Sequence, residues 1–161
     1  GVEAFAARAA EAGVDGVLTL DLPLEEAEPL RCSLDRAGLD TIFLLSPTTT
    51  PERIAMADRL GRGFLYVISR LGVTGARAEV AGGLDELTAR IRAHSTLPIA
   101  LGFGLSRPEH VRQAGAFADA AVVGSALVDR IAAWSEAPDL DRRVEAFTRW
   151  LRSEGPPPEA A

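Results

Sequence analysis

The sequence contains no lysine, because all 17 of its basic residues are arginine. A Walker-type phosphate loop requires a lysine beside its glycines, and a Schiff-base enzyme requires a lysine amine as its nucleophile. Neither kind of site can be built from these 161 residues.

Residues that bind metals or form disulfides are also scarce. Cys32 is the one cysteine, so no disulfide can form within the chain, and packing is its expected role. His94 and His110 are isolated from each other and from Cys32, so the ligand spacing of a zinc site does not occur. We therefore predict no metal site, and we expect both histidines to lie at helix surfaces.

Charge and hydropathy exclude two further classes of partner. The net charge of −6 argues against nucleic acid, whose binding depends on clustered cations. There is no recognisable signal peptide and no apolar run near the length of a membrane span. We expect a cytoplasmic protein. Because the first residue is Gly1 rather than Met, we also expect the sequence to be part of a longer chain.

Short, continuous apolar runs recur along the chain, with helical patterns between them. They predict strands at residues 17–20, 41–45, 64–68, 98–101 and 120–123. Such runs are typical of parallel strands covered on both faces. Repeated strand–helix units indicate either a doubly wound sheet or part of a (β/α) barrel. A complete barrel has eight units, so three would lie before Gly1.

The stretches between these strands are predicted to be helical. Predicted helices cover residues 1–12, 25–37, 51–60, 84–94, 106–115 and 139–152, and a further helix is predicted to start at Ser125. Ser106 and Glu109 have the spacing of a capping box, and Asp139 can cap the last helix. Residues 69–83 are predicted to form a long loop. Residues 1–152 are the expected domain, and residues 153–161 are the expected disordered tail.

Two glycine-bearing loops follow the last two predicted strands, at residues 102–104 and 124–125. In barrels a phosphate site is commonly formed by the last two such loops and a short extra helix. Gly104, Gly124 and Ser125 fit that description, because backbone N–H groups at a helix N-terminus bind anions. The alternative is that these glycines only permit tight turns.

Three further residues lie near predicted strand ends. Tyr66 and Phe103 are either core residues or an apolar wall for a flat ligand. Asp21 follows the first strand and could be an acid, a base, an interface residue or part of a turn.

Several segments together resemble the tryptophan synthase α-subunit family. They are collinear and cover nearly the whole chain: residues 13–18 leading to 21–23, residues 64–70 with 72–75, residues 102–104 and residues 124–126. The segment 69–75 is the most specific part of the resemblance.

The resemblance implies a (β/α)₈ TIM barrel that acts as a lyase in tryptophan biosynthesis. Its reaction cleaves indole-3-glycerol phosphate to indole and glyceraldehyde 3-phosphate. It implies no cofactor in this chain, because pyridoxal phosphate belongs to the β subunit of an α₂β₂ complex. The absence of lysine agrees with that assignment.

Carried over by position, the resemblance also implies roles for individual residues. The phosphate cradle would consist of Gly75, Gly104, Gly124 and Ser125. The indole pocket would have Tyr66 and Phe103 as walls. Arg70 and Thr74 would belong to a mobile loop, and Asp21 and Pro23 would lie near the β subunit.

The two catalytic carboxylates of the family lie on its second strand and the following loop, which would precede Gly1. We therefore expect the C-terminal five-eighths of the enzyme, inactive on its own.

Two alternatives stay open at this point. The first is another phosphate-binding (β/α) barrel, such as a pentose-phosphate isomerase or an indole-glycerol-phosphate synthase. Residues 70–75 argue against it, and the absence of lysine argues against the synthase. The second is a non-catalytic half-barrel that serves as a binding module.

Overall fold

A computed structural model describes residues 1–68, 77–102 and 104–153 of the chain. The strands are β1 (Gly16–Leu18), β2 (Asp40–Leu45), β3 (Leu65–Ile68), β4 (Ile99–Gly102) and β5 (Ala120–Val122). The helices are α1 (Val2–Glu11), α2 (Glu28–Arg36), α3 (Pro51–Leu60), α4 (Arg77–Arg92), α5 (Pro108–Gly115), α6 (Ser125–Ala133) and α7 (Leu140–Leu151), with a 3₁₀ turn at Leu24–Glu26.

The five strands form one parallel sheet in the order β1-β2-β3-β4-β5, so each strand pairs with the next one along the chain. This is the arrangement of consecutive βα units predicted from the sequence. All five predicted strands are present, with end points that differ by at most two residues.

Alternate strand residues pack on opposite faces of the sheet. Leu65 and Val67 of β3 join a buried apolar cluster with Ile54 of α3 and Ile91 of α4. Tyr66 therefore points to the opposite face, because side chains alternate along a strand. One face of the sheet thus carries the helices, and the other is available for a site.

Three predicted helix starts are wrong. The second helix begins at Glu28 rather than at residue 25, after the 3₁₀ turn over Leu24–Glu26. The fifth helix begins at Pro108 rather than Ser106, with Arg107 as its N-cap and no side-chain cap. Proline suits the first helical turn, where its missing N–H costs nothing. The predicted capping box therefore does not form, and Glu109 lies 3.7 Å from the Arg107 guanidinium in an ion pair.

The fourth helix starts at Arg77 rather than at residue 84, so it takes up the C-terminal part of the predicted 69–83 loop. Two glycines inside it each cost about 1 kcal/mol relative to alanine. Burial of Leu84, Leu87 and Ile91 in the main core offsets that cost.

The spacing of Leu140, Val144, Phe147 and Leu151 predicts one apolar face on the last helix. That helix runs over Leu140–Leu151, and it buries Phe147 and Leu151. Asp139 occupies the N-cap position, but its carboxylate does not cap the backbone. It accepts instead a hydrogen bond of 2.8 Å from Arg143 Nε.

The outer edges of β1 and β5 have no neighbouring strand among the described residues. Large apolar side chains are exposed beside both edges. They are Val2, Phe5 and Val14 near β1, and Val128 and Ile131 on α6 after β5. Open parallel edges with apolar flanks are surfaces that further βα units would cover.

Asp119 sets the register between β4 and β5. Its backbone N–H donates to the Ile99 carbonyl at 2.9 Å, and its carboxylate accepts from the Ile99 N–H at 2.8 Å. Arg92 lies 3.2 Å from the same carboxylate. The Ile99 N–H is the main cause of a pKa of Asp119 below its usual range, and Arg92 adds to it.

We predict that Asp119→Asn lowers the free energy of unfolding at neutral pH by about 1 kcal/mol, the scale of one hydrogen bond. Because the folded-state pKa is depressed, this stabilisation is complete above about pH 4 and is lost as pH falls through the folded pKa. Urea unfolding of both proteins at several pH values measures it.

Asp139→Asn is the matched control. The pKa of Asp139 is also lowered, but by the Arg143 side chain at the surface rather than by the backbone of a strand. Its substitution should change stability less. Equal effects of the two variants would contradict the role given to Asp119.

Candidate functional site

The two glycine loops meet at the carboxyl edge of the sheet. The last registered pair between β4 and β5 is Gly102 with Val122. Gly104 and Gly124 each lie two residues beyond that pair, at the same ends of adjacent parallel strands. The register therefore places the two loops side by side, as the sequence predicts.

Gly104 has a backbone φ of +74°, in the left-handed region that favours glycine. It is exposed, whereas Leu105 next to it is 2% exposed and belongs to the main core. A left-handed residue in a turn directs successive backbone N–H groups toward one point, which is how proteins form anion-binding concavities. The loop after β4 is thus open to solvent at Gly104 and fixed to the main core by Leu105.

The loop after β5 leads directly into a helix. Gly124 is the N-cap of α6, and its carbonyl accepts from the N–H groups of Leu127 and Val128. The N–H groups of Ser125 and Ala126, in the first turn, have no acceptor within the helix. Ser125 is exposed, so both its N–H and its hydroxyl are placed at a positive helix terminus.

Tyr66 lies against Gly102 on the face of the sheet that does not carry the helices. A Cβ atom on Gly102 would lie 2.1 Å from the Tyr66 hydroxyl and 2.6 Å from Cζ. The phenol therefore occupies the space that any side chain at position 102 would need. Tyr66 is half-buried, so part of its ring is available below the glycine loops.

Charged side chains line a groove beside the start of α5, the helix that follows the loop after β4. A groove of about 720 Å³ separates the start of α5 from α6 and α7, and Arg107, Glu109, Asp129 and Arg130 are among its lining residues. The pKa of Glu109 lies below its usual range, mainly because its own backbone N–H donates to the carboxylate. The Arg130 guanidinium lies over the rings of Trp134 and Phe147, 5.8 and 5.7 Å from their centroids.

Asp21 and Pro23 lie elsewhere on this edge of the sheet. Both are exposed, and they line a pocket of about 350 Å³ at the ends of β1 and β2. Since β1 and β4 are separated by two intervening strands, the structure does not bring Asp21 together with Gly104. Leu20, beside Asp21, is 71% exposed.

Several residues of the predicted site lie outside the described ranges. They are Arg70, Thr74 and Gly75 of the predicted long loop, and Phe103 of the indole pocket. Residues 154–161 of the predicted tail lie outside them too.

Two residues contribute to this site in ways that the sequence does not predict. Gly102 received no role apart from its loop, because only the structure shows the Tyr66 phenol against it. His110 is expected at a helix surface, and it lies half-buried on α5. The unpredicted feature is its hydrogen bond, in which Nδ1 accepts from the Ser106 N–H at 3.3 Å. The four-residue separation of Ser106 and His110 was the available signal.

Two further features are absent from the described ranges. Within residues 1–68, 77–102 and 104–153, histidine, cysteine and acidic side chains form no group of three or more that could hold a metal ion. None of the helices in this part of the chain has the length and apolarity needed to cross a bilayer.

Comparison with known proteins assigns the chain to a family. The family model described as Tryptophan synthase alpha chain matches residues 1–153. A tryptophan synthase alpha chain from Geotalea uraniireducens is 52% identical over 153 residues, covering 95% of this chain and 57% of the relative. One from Geobacter sulfurreducens is 47% identical over 152 residues, covering 94% and 57% of the two chains.

Solved structures show the same similarity. The subunit alpha of tryptophan synthase from Legionella pneumophila superposes with a TM-score of 0.77 at 35% identity, covering 94% of this chain and 55% of that one. A structure of the tryptophan synthase α₂β₂ complex from Pyrococcus furiosus gives 0.76 at 35% identity, covering 94% and 59%.

The chain thus spans little more than half the length of these relatives, and its five-stranded parallel sheet is part of a TIM barrel. The chain belongs to the tryptophan synthase alpha chain family.

Proposed function

We propose that this chain forms the phosphate-binding and indole-binding part of a lyase that cleaves indole-3-glycerol phosphate into indole and glyceraldehyde 3-phosphate in tryptophan biosynthesis. The observation that carries the proposal is the placement of Gly104 and Gly124 side by side, each two residues beyond the Gly102–Val122 pair. Family membership supports the choice of substrate.

The substrate phosphate binds to the backbone N–H groups of Gly104, Gly124 and Ser125, with Gly75 as a further donor. Backbone donors and the N-terminus of α6 supply positive potential without a basic side chain. This suits a chain whose glycine loops contain no arginine or lysine. Arg70 and Thr74 act in a loop that closes over the bound substrate.

The indole ring lies on the non-helical face of the sheet, against Tyr66 and Phe103. The half-buried phenol of Tyr66, held close to Gly102, supports the first of these contacts. Binding at both ends orients the substrate, but ground-state binding alone does not accelerate the chemistry.

The cleavage is a retro-aldol reaction that needs a proton delivered to the indole ring and another removed from the glycerol hydroxyl. Positioned carboxylates supply such steps, typically by 10²–10⁴-fold. Asp21, the carboxylate predicted at a strand end, is exposed beside β1 and distant from the glycine loops. We assign the acid and base to earlier βα units that complete the barrel along the open edges.

We also propose that residues 20–23 contact a tryptophan synthase β subunit. Exposure of Leu20 beside Asp21 and Pro23 supports this surface. The family has no cofactor of its own, and pyridoxal phosphate belongs to the β subunit.

Phosphate titration of the isotope-labelled chain should shift the amide NMR signals of Gly104, Gly124 and Ser125 before any others. Gly104→Val should weaken binding by about tenfold or more, because valine disfavours the left-handed backbone that this loop requires. Gly115→Ala is the matched control, since a Cβ there meets open space and the residue ends α5. Shifts confined to other loops would refute the cradle.

The chain alone should release no indole from indole-3-glycerol phosphate above background. Adding the first three βα units of the Geotalea uraniireducens relative as a separate polypeptide should restore release, because they cover both open edges and supply the carboxylates. Colorimetric detection of indole measures both reactions. If the chain alone released indole and Asp21→Asn abolished that release, the catalytic base would be Asp21 and not a residue of the earlier βα units.

Leu20→Asp should abolish co-elution of the reconstituted protein with a β subunit, because it places a charge in an apolar contact. Ala89→Asp is the control, since Ala89 is also exposed but lies on α4, away from both open edges of the sheet. Retained co-elution of the Leu20→Asp protein would remove residues 20–23 from the interface.

A further inference from the structure

The loop after β4 is bonded to the helix that follows it through one side chain. His110, in the first turn of α5, accepts a hydrogen bond from the Ser106 backbone N–H at Nδ1, over 3.3 Å. Both residues are half-buried. Ser106 lies two residues after Gly104, so this bond acts on the same short segment that forms one side of the proposed cradle.

The other contacts of residues 104–106 do not fix the direction of their backbone, so His110 determines it. Leu105 anchors it to the main core and Pro108 is buried at the start of α5, but both contacts are apolar and non-directional. Arg107, the N-cap, makes no side-chain hydrogen bond to the helix terminus. The His110 bond is directional, and it commits the Ser106 N–H to the protein rather than to a ligand.

We propose that His110 is a positioning residue for the phosphate cradle, holding the Gly104–Ser106 backbone in its binding conformation through a neutral Nδ1. The inference rests on the proposed function of this loop. An imidazole nitrogen accepts a hydrogen bond only while it carries no proton, and a protonated histidine is a donor at both nitrogens. Protonation of His110 therefore releases the Ser106 N–H and weakens anion binding.

Other charged groups lie around the start of α5, and a pH effect must be separated from them. The uncharged Phe147 and Trp150 of α7 face the same groove, and β5 carries no titratable side chain. The charged residues lining this groove are Arg107, Glu109 and Arg112 on α5, with Asp129 and Arg130 on α6. Among side-chain types, histidine is the one whose charge ordinarily changes between about pH 5 and pH 8.

The test measures sulfate binding to the full 161-residue chain by amide NMR at about pH 8 and about pH 5.5, the range in which histidines titrate. Sulfate is the probe because its own charge does not change over this range. His110→Asn keeps an acceptor near the position of Nδ1 but cannot be protonated there. His110→Leu removes the acceptor, and His94→Asn removes the other, exposed histidine as a matched control.

We expect the wild-type and His94→Asn proteins to bind sulfate about fivefold more weakly at the lower pH, the loss expected for one hydrogen bond. His110→Asn should bind with the wild-type high-pH affinity at both pH values, and His110→Leu should bind weakly at both. Without sulfate, the Ser106 amide signal should move with pH in the wild type and stay in place in His110→Asn.

The inference would be overturned if the sulfate affinity of His110→Asn still depended on pH. It would also be overturned if the Ser106 amide signal of the wild type did not move with pH. Both comparisons use His110→Asn, so they decide the matter even where His110→Leu does not fold. A wild-type chain that binds no sulfate at Gly104 and Gly124 would refute the cradle itself, whereas binding unaffected by His110 would refute only the positioning role.

Discussion

The pairing of Asp119 with Ile99 is the constraint on which the site depends. Asp119 donates from its backbone and accepts with its carboxylate, so β5 can join β4 in one register only. A slip of one residue would turn every side chain of β5 to the other face. The same register fixes Gly102 opposite Val122, and the two glycine loops follow at equal distances from that pair. An interaction at the amino ends of two strands thus determines geometry at their carboxyl ends.

The two faces of the sheet have different roles, and this explains how the register of β4 and β5 affects substrate binding. Residues of β3 and β4 that face the helices are fully buried apolar side chains, such as Val67 and Leu101. Those facing the other way include Tyr66 and Gly102, and the absent side chain of the glycine admits the phenol. Close packing on the helix-covered face therefore supports the face that carries Tyr66 and Gly102. The backbone of the two glycine loops, which we propose binds the anion, lies at the carboxyl edge of the same sheet.

The strand positions, the glycine loops and the α7 face could be predicted from the sequence, because each depends on local periodicity or on glycine. The start of α5 could not, because Ser106 and Glu109 offer a plausible capping box that a buried proline at position 108 overrides. The start of α4 could not, because the burial of Leu84 and Leu87 outweighs two glycines earlier in the helix. The contacts of Tyr66 and His110 join residues whose relation appears only in three dimensions.

A crystal structure of this chain grown with inorganic phosphate tests the central claim most directly. We predict one phosphate ion with the amide nitrogen of Gly104 and that of Gly124 or Ser125 both within about 3 Å of its oxygens. The Ser106 amide should stay bonded to His110 in the same structure. An ion held by one loop alone, or loops turned away from each other beyond the Gly102–Val122 pair, would contradict it.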